Sequence, residues 1–187
     1  MDAFSYLSVL LSIILGLAMT QILTAAGRMI RARERVTPYA PPIIWAGLLL
    51  VIDVQMWWSM FGYRTRTRWG FLEFLVILIQ TIMAYMLAAV VLPEEIPAEG
   101  VRLRDYYERN SPWMFGFLIA IVVVSIIKEL LLEGRLPVPA NLAFHVLLIV
   151  TASTAIAIRN ERLHKVLAVS AVMLIGLYIF LMFSRLA

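Results

Sequence analysis

The chain contains no cysteine. That absence excludes disulfides, thiolate zinc sites, iron–sulfur clusters and cysteine nucleophiles together. Histidine is nearly absent as well. His145 and His164 are the only two, which is too few for a histidine-rich metal site within one chain. Charge is scarce, at 15% of residues against about a quarter in an ordinary soluble domain. No Walker loop, HExxH or GxSxG occurs, and no second mid-span aspartate accompanies Asp53. The common signatures of nucleotide, metalloprotease, hydrolase and intramembrane aspartyl-protease chemistry are therefore missing. A non-enzymatic role is favoured, no cofactor is expected, and no stretch reads as a nucleic-acid module.

What is present is apolar. Hydrophobic residues make up 63% of the 187 positions, and the mean hydropathy is +0.90. Too few polar residues remain to cover a water-soluble fold of this size. The composition places the chain among integral membrane proteins. A helix needs about 20 apolar residues to cross a hydrocarbon core of ~30 Å. Six stretches meet that length, over residues 4–28, 42–63, 70–92, 112–132, 139–158 and 166–184. Their apolar runs are continuous, not alternating, which excludes a barrel. The expected fold is all-α: a single polytopic six-helix bundle with short loops, spanning residues 1–187. The first run lacks a basic leader and is too long for a cleaved signal peptide, so it is expected to be kept as the first helix.

Local punctuation suggests the boundaries. Pro41 and Pro42 open the second span, and Gly134, Pro137 and Pro139 mark the turn before the fifth. Ser111 followed by Pro112 reads as an N-cap and first helical residue, so the fourth span is expected to start there. Residues 93–111 then form the longest polar loop, with Val101, Leu103, Tyr106 and Tyr107 as interfacial anchors. No internal repeat is evident.

The distribution of arginine and lysine orients the chain. Loops one, three and five carry Arg28, Arg31, Arg33, Arg35, Arg102, Arg104, Arg109, Arg159, Arg162 and Lys165. The opposite side carries Arg64, Arg66, Arg68, Arg135 and Arg185. The more basic side is expected in the cytoplasm, both termini outside it, and the host membrane a bacterial inner membrane. Basic loops at this level also imply contact with anionic membrane lipid.

Polar side chains within spans are the candidate functional groups. Asp53 lies mid-span in LLLVIDVQMWW, where an ionised carboxylate costs roughly 2.5–3.5 kcal/mol on insertion scales. It must be protonated, partnered or wet. Gln80 is as far from the loop joining spans two and three as Asp53 is, so the two should share a depth and are expected to hydrogen-bond. Gln55, two residues on, faces another side and suits an oligomer contact. Trp57 and Trp58, about one turn above Asp53, read as lipid-facing belt or core, with an apolar lid over Asp53 as the alternative for Trp57. Glu73, Lys128, Glu129 and His145 fall at one depth near the other end of the bundle, and together suggest a wet vestibule. Lys128 snorkelling to the headgroups is the plainer alternative. His145 and His164 lie towards opposite faces, so one chain cannot supply a bis-histidine haem site.

Ser8, Ser12, Gly16, Thr20 and Thr24 recur at every fourth position of the first span. Such a stripe allows close helix packing, expected within the bundle, with a homo-oligomer contact or a pore lining as alternatives. Thr151, Ser153 and Thr154 give a similar signal in the fifth span. These features favour a small channel or transporter for protons, cations or a small solute, assembled as a homo-oligomer. An accessory or sensory subunit docking another membrane protein is the alternative. A lipid-modifying enzyme using Glu73, Lys128 and His145 is a third.

Overall fold

The computed structural model describes residues 3–66 and 68–182. Six helices dominate it: α1 Ala3–Arg31, α2 Ala40–Met60, α3 Phe71–Val91, α4 Leu103–Glu133, α5 Pro139–Ala157 and α6 Glu161–Met182. All six are long and apolar enough to cross a membrane, so the protein is an all-α, multi-pass membrane protein. Large apolar side chains such as Leu17, Val54, Phe71, Val150, Met173 and Phe180 point outward, as a lipid solvent permits. The expected end of the sixth span at Ser184, and Arg185, lie outside the described residues.

The helices do not pack in chain order. Each contacts its neighbours in the sequence α1, α3, α4, α5, α6, α2, and α2 closes the ring against α1. Helix α2 also leans inward to touch α3 and α4. Its inner face therefore carries a long buried row: Trp45, Leu48, Leu49, Asp53, Met56 and Met60. Helix α5 buries Ala152 and Ala155, and α6 buries Ala168 and Ala171. Small residues there let helix backbones approach closely.

Helix α4 begins nine residues earlier than Pro112 suggested. Leu103, Tyr107, Ser111, Phe115, Leu118 and Val122 form one buried face along α4 that runs straight past Pro112. Continuous burial of that face holds the backbone helical. Pro112 has no N–H for the Glu108 carbonyl, and Ser111 Oγ donates to that carbonyl instead, at 3.4 Å. Ser111 thus mends the helix around the proline and does not cap it. Leu103 and Tyr107 are core residues, not interfacial anchors. At ~1.5 Å per residue the 31-residue helix is about 46 Å long, so its charged first turns extend past the hydrocarbon.

Loops one, three and five meet at one end of the bundle. Strands β1 (Val36–Thr37) and β2 (Val101–Arg102) form a short parallel ladder between the first and third loops. Gly100 makes that approach feasible. Its φ is +89°, and a Cβ there would lie 2.6 Å from the Arg35 carbonyl oxygen. Arg104 pairs with Glu161 at 2.8 Å, tying α4 to α6. Asn160 Oδ1 accepts from the N–H groups of Arg162 and Leu163, so α6 starts at Glu161, ahead of the apolar run.

Candidate functional site

The polar groups of the spans gather at the opposite end. A cavity of about 350 Å³ opens between α2, α3, α4, α5 and α6 on the side of the α2–α3 and α4–α5 loops. Its mouth is formed by Gly62, Tyr63, Glu133 and Arg135. Further in, Gln55, Ser59, Gln80, Ser125, Lys128, Glu129, Asn141 and Tyr178 line the wall. Beneath it lies a chamber of about 80 Å³, bounded by Gln55, Gln80, Ser125, His145 and Tyr178 together with Leu118, Ile121, Val122 and Ile175. The two spaces share Gln55, Met56, Gln80, Ser125 and Tyr178. They adjoin along these five residues, and the inner one ends on apolar side chains.

Helix periodicity explains this convergence. Ser125, Lys128 and Glu129 share a face of α4 at spacings of three and four. Asn141 and His145 do the same on α5. Three helices are then joined by one chain of hydrogen bonds. Tyr178 on α6 donates its hydroxyl proton to Asn141 Oδ1 at 3.1 Å. Asn141 Nδ2 donates to Glu129 Oε2 at 3.2 Å. His145 Nδ1 donates to the Asn141 carbonyl at 2.7 Å, which leaves Nε2 as the ring's remaining polar atom on the chamber residue. Lys128 forms no ion pair with any described residue, although it lines the same wall. The lining thus offers an ammonium, a guanidinium, two carboxylates, three amides and four hydroxyls around a space large enough for several waters.

Several expected placements change. Glu73 is not part of this group. Its carboxylate pairs with Arg66 and accepts the Gly70 N–H at 2.8 Å, so it caps α3. Arg66 Nη1 in turn donates to the Leu132 carbonyl, tying the α2–α3 loop to the end of α4. Lys128, Glu129 and His145 do converge, with His145 one layer deeper. Gln55 lines the interior cavity and does not face outward.

Asp53 and Gln80 are both buried at 3% and 5% exposure, yet no hydrogen bond joins them. Asp53 Oδ2 is one of two buried side-chain polar atoms without a partner among the described residues; the other is Trp45 Nε1. Equal depth in a hairpin did not suffice, because α3 packs mainly on α1 and α4 and only lightly on α2. Asp53 also lies off the cavity wall. Ile52, Gln55 and Met56, its helix neighbours, line the chamber, and Asp53 sits about 100° round the helix from Ile52. Trp57 is 55% exposed and lines an outer groove with Phe4, Ser8 and Ser12, so it is no lid on Asp53.

The α1 stripe is also corrected. Ser8 and Ser12 are half-buried, while Gly16, Thr20 and Thr24 face outward, and nothing lies within 4 Å of a Cβ built on Gly16. Helix α1 packs through Leu11, Leu15, Ala18, Ile22 and Ala25 instead. In a bilayer the lipid face and the packing face are equally apolar, so residue size alone misassigns them.

His164 lies in the first turn of α6, within a closed cluster at the basic end. Its Nδ1 accepts from the Tyr107 hydroxyl at 2.8 Å, and Nε2 donates to the Ile158 carbonyl at 3.1 Å. Both ring nitrogens are satisfied, and Tyr107 and Phe115 pack on the ring. This histidine braces the fold. Asn141, Ser125 and Tyr178 escaped sequence reading. The signal available for them was spacing, Asn141 four before His145 and Ser125 three before Lys128, and a lone tyrosine in an apolar sixth span. No protein-family model, curated protein or solved structure matches the chain.

Proposed function

We propose that the protein moves protons, small cations or a small polar solute across the membrane, with the one-ended polar cavity as its access path. The observation that carries this reading is the adjacency of the two cavities along five shared residues, from a charged mouth to a chamber lined by His145. A dead-end aqueous path of this kind suits a transporter caught open to one side better than an open pore. Tyr178, Asn141, Glu129 and His145 then bind or relay the cargo, and Lys128 sets the field at the wall.

Asp53 is assigned the proton-binding step beyond the chamber. A buried carboxyl oxygen without a partner costs stability, roughly 1–3 kcal/mol, and a chain tolerates that where the group acts. Turning of α2 by about 100° exchanges Ile52 for Asp53 at the chamber wall. The basic end is placed in the cytoplasm of a bacterial inner membrane, so the cavity opens outward. The outward Gly16–Thr20–Thr24 strip supports assembly of several copies. The apolar floor of the chamber favours one second reading, a sensory or accessory subunit that binds a small polar molecule and passes nothing on.

Flux of protons and of monovalent cations into proteoliposomes tests this, with wild type against Asp53→Asn and Glu129→Gln at matched oligomer size. Flux in wild type that is lost in both variants is expected. No flux in wild type across pH and voltage selects the sensory reading.

A further inference from the structure

A second cavity at the other end has a different chemistry. An almost wholly apolar slot of about 480 Å³ lies between α1 and α2, near the basic loops. Ile22, Ala26 and Met29 of α1 form one wall, and Ile43 and Gly47 of α2 the other. Its mouth opens sideways, since Leu23, Ile30 and Ile43 are exposed on the outer surface of the bundle. Gly47 leaves the α2 wall bare, with nothing within 4 Å of where its Cβ would stand.

Arg33 sits at the loop end of this slot. Its guanidinium is exposed and forms no ion pair with a described residue. Beside it, Arg28, Arg31 and Arg35 line a polar recess of about 450 Å³ together with Glu94 and Glu95. Arg28 already donates to the Glu94 carbonyl oxygen. Glu34 is a further acid in this segment, but ten basic residues against seven acidic ones leave this end of the bundle net positive.

We infer that the slot between α1 and α2 holds one acyl chain of an anionic phospholipid whose phosphate is bound by Arg33. The slot matches the chain, the position matches headgroup depth, and the free guanidinium matches a phosphate by charge and geometry. A zwitterionic lipid fills the same slot but offers a headgroup with no net charge to the basic end. Here the arginine and the bare glycine wall select both charge and chain. The inference is independent of the transport reading, because this slot and the polar cavity share no residue.

The test is native mass spectrometry of the purified full chain titrated with phosphatidylglycerol or phosphatidylcholine of identical acyl chains. Wild type is expected to retain phosphatidylglycerol at about fivefold lower concentration than phosphatidylcholine, the worth of one basic residue at a lipid surface. Arg33→Gln abolishes that preference and leaves the weaker binding in place. Gly47→Leu fills the slot and reduces binding of both lipids. Leucine meets open space there, and thermal melting in detergent confirms that each variant is folded. Equal retention of the two lipids by wild type overturns the proposal. So does an unchanged preference in Arg33→Gln, whose exposed side chain makes misfolding no explanation.

Discussion

The two ends of the bundle are built by opposite rules. At the basic end, loops one, three and five lock together through a strand ladder, the Arg104–Glu161 pair and the Tyr107–His164–Ile158 chain of hydrogen bonds. Buried His164 there is satisfied by protein at both ring nitrogens, while Arg33 stays exposed. At the other end, polar side chains from five helices line a cavity, and Lys128 has no ion-pair partner among the described residues. Tyr178, Asn141 and Glu129 bond one another there, yet they and Lys128 still face the cavity. The contrast separates bracing from function: groups closed within the protein hold the fold, and groups that face a cavity are available for binding.

That contrast is breakable. His164→Ala removes a ring held at both nitrogens and packed by Tyr107 and Phe115. It should cost about 3 kcal/mol, read as a large fall in melting temperature in detergent, and leave the distant cavity's ligand properties unchanged in the protein that folds. Gly100→Ala forces a side chain to within 2.6 Å of the Arg35 carbonyl at a φ of +89°. About 2 kcal/mol of destabilisation is expected by the same measurement. A melting temperature equal to wild type for both would show that the basic end is not the brace.

Changes at the open end should run the other way, with small stability effects and large functional ones. Asn141→Ala cuts the link between Tyr178 and Glu129, but water reaches the site and replaces much of the bond. About 1 kcal/mol or less is expected, with loss of proteoliposome flux. Asp53→Asn should be the mildest for stability, since an amide of the same shape takes the place of a carboxyl group whose Oδ2 has no partner among the described residues. Its melting temperature should stay close to that of wild type while flux disappears. Asp53→Asn that melts well below wild type would instead place Asp53 among the bracing groups.

Much of the fold was readable from the sequence because a bilayer demands long, continuous apolar helices, and that length is a one-dimensional property. The spans were therefore visible, including α2, α3 and α5 to within two or three residues. The start of α4 was not, because Pro112 is a local stop signal that the buried stripe from Leu103 to Val122 overrides. The candidate site was legible in part. Lys128, Glu129 and His145 were found by depth, which chain length from a turn reports. Glu73 and the Asp53–Gln80 bond failed because depth says nothing about which helices are neighbours, and the ring order is not the chain order. The α1 stripe failed for a related reason, since lipid and protein interior present the same polarity to a helix.

The most direct test of the open end uses the absence of cysteine. A single Ser125→Cys introduces the only thiol in the chain, on a residue shared by both cavities. A small, charged, membrane-impermeant thiosulfonate reagent reacts with thiols that water reaches, because the thiolate is the nucleophile. Val150→Cys, on an outward-facing apolar position of α5, is the control. A one-ended aqueous cavity predicts rapid modification of Ser125→Cys from the side bearing the α2–α3 and α4–α5 loops only, and none at position 150. No modification from that side, or equal modification from both sides, would contradict it.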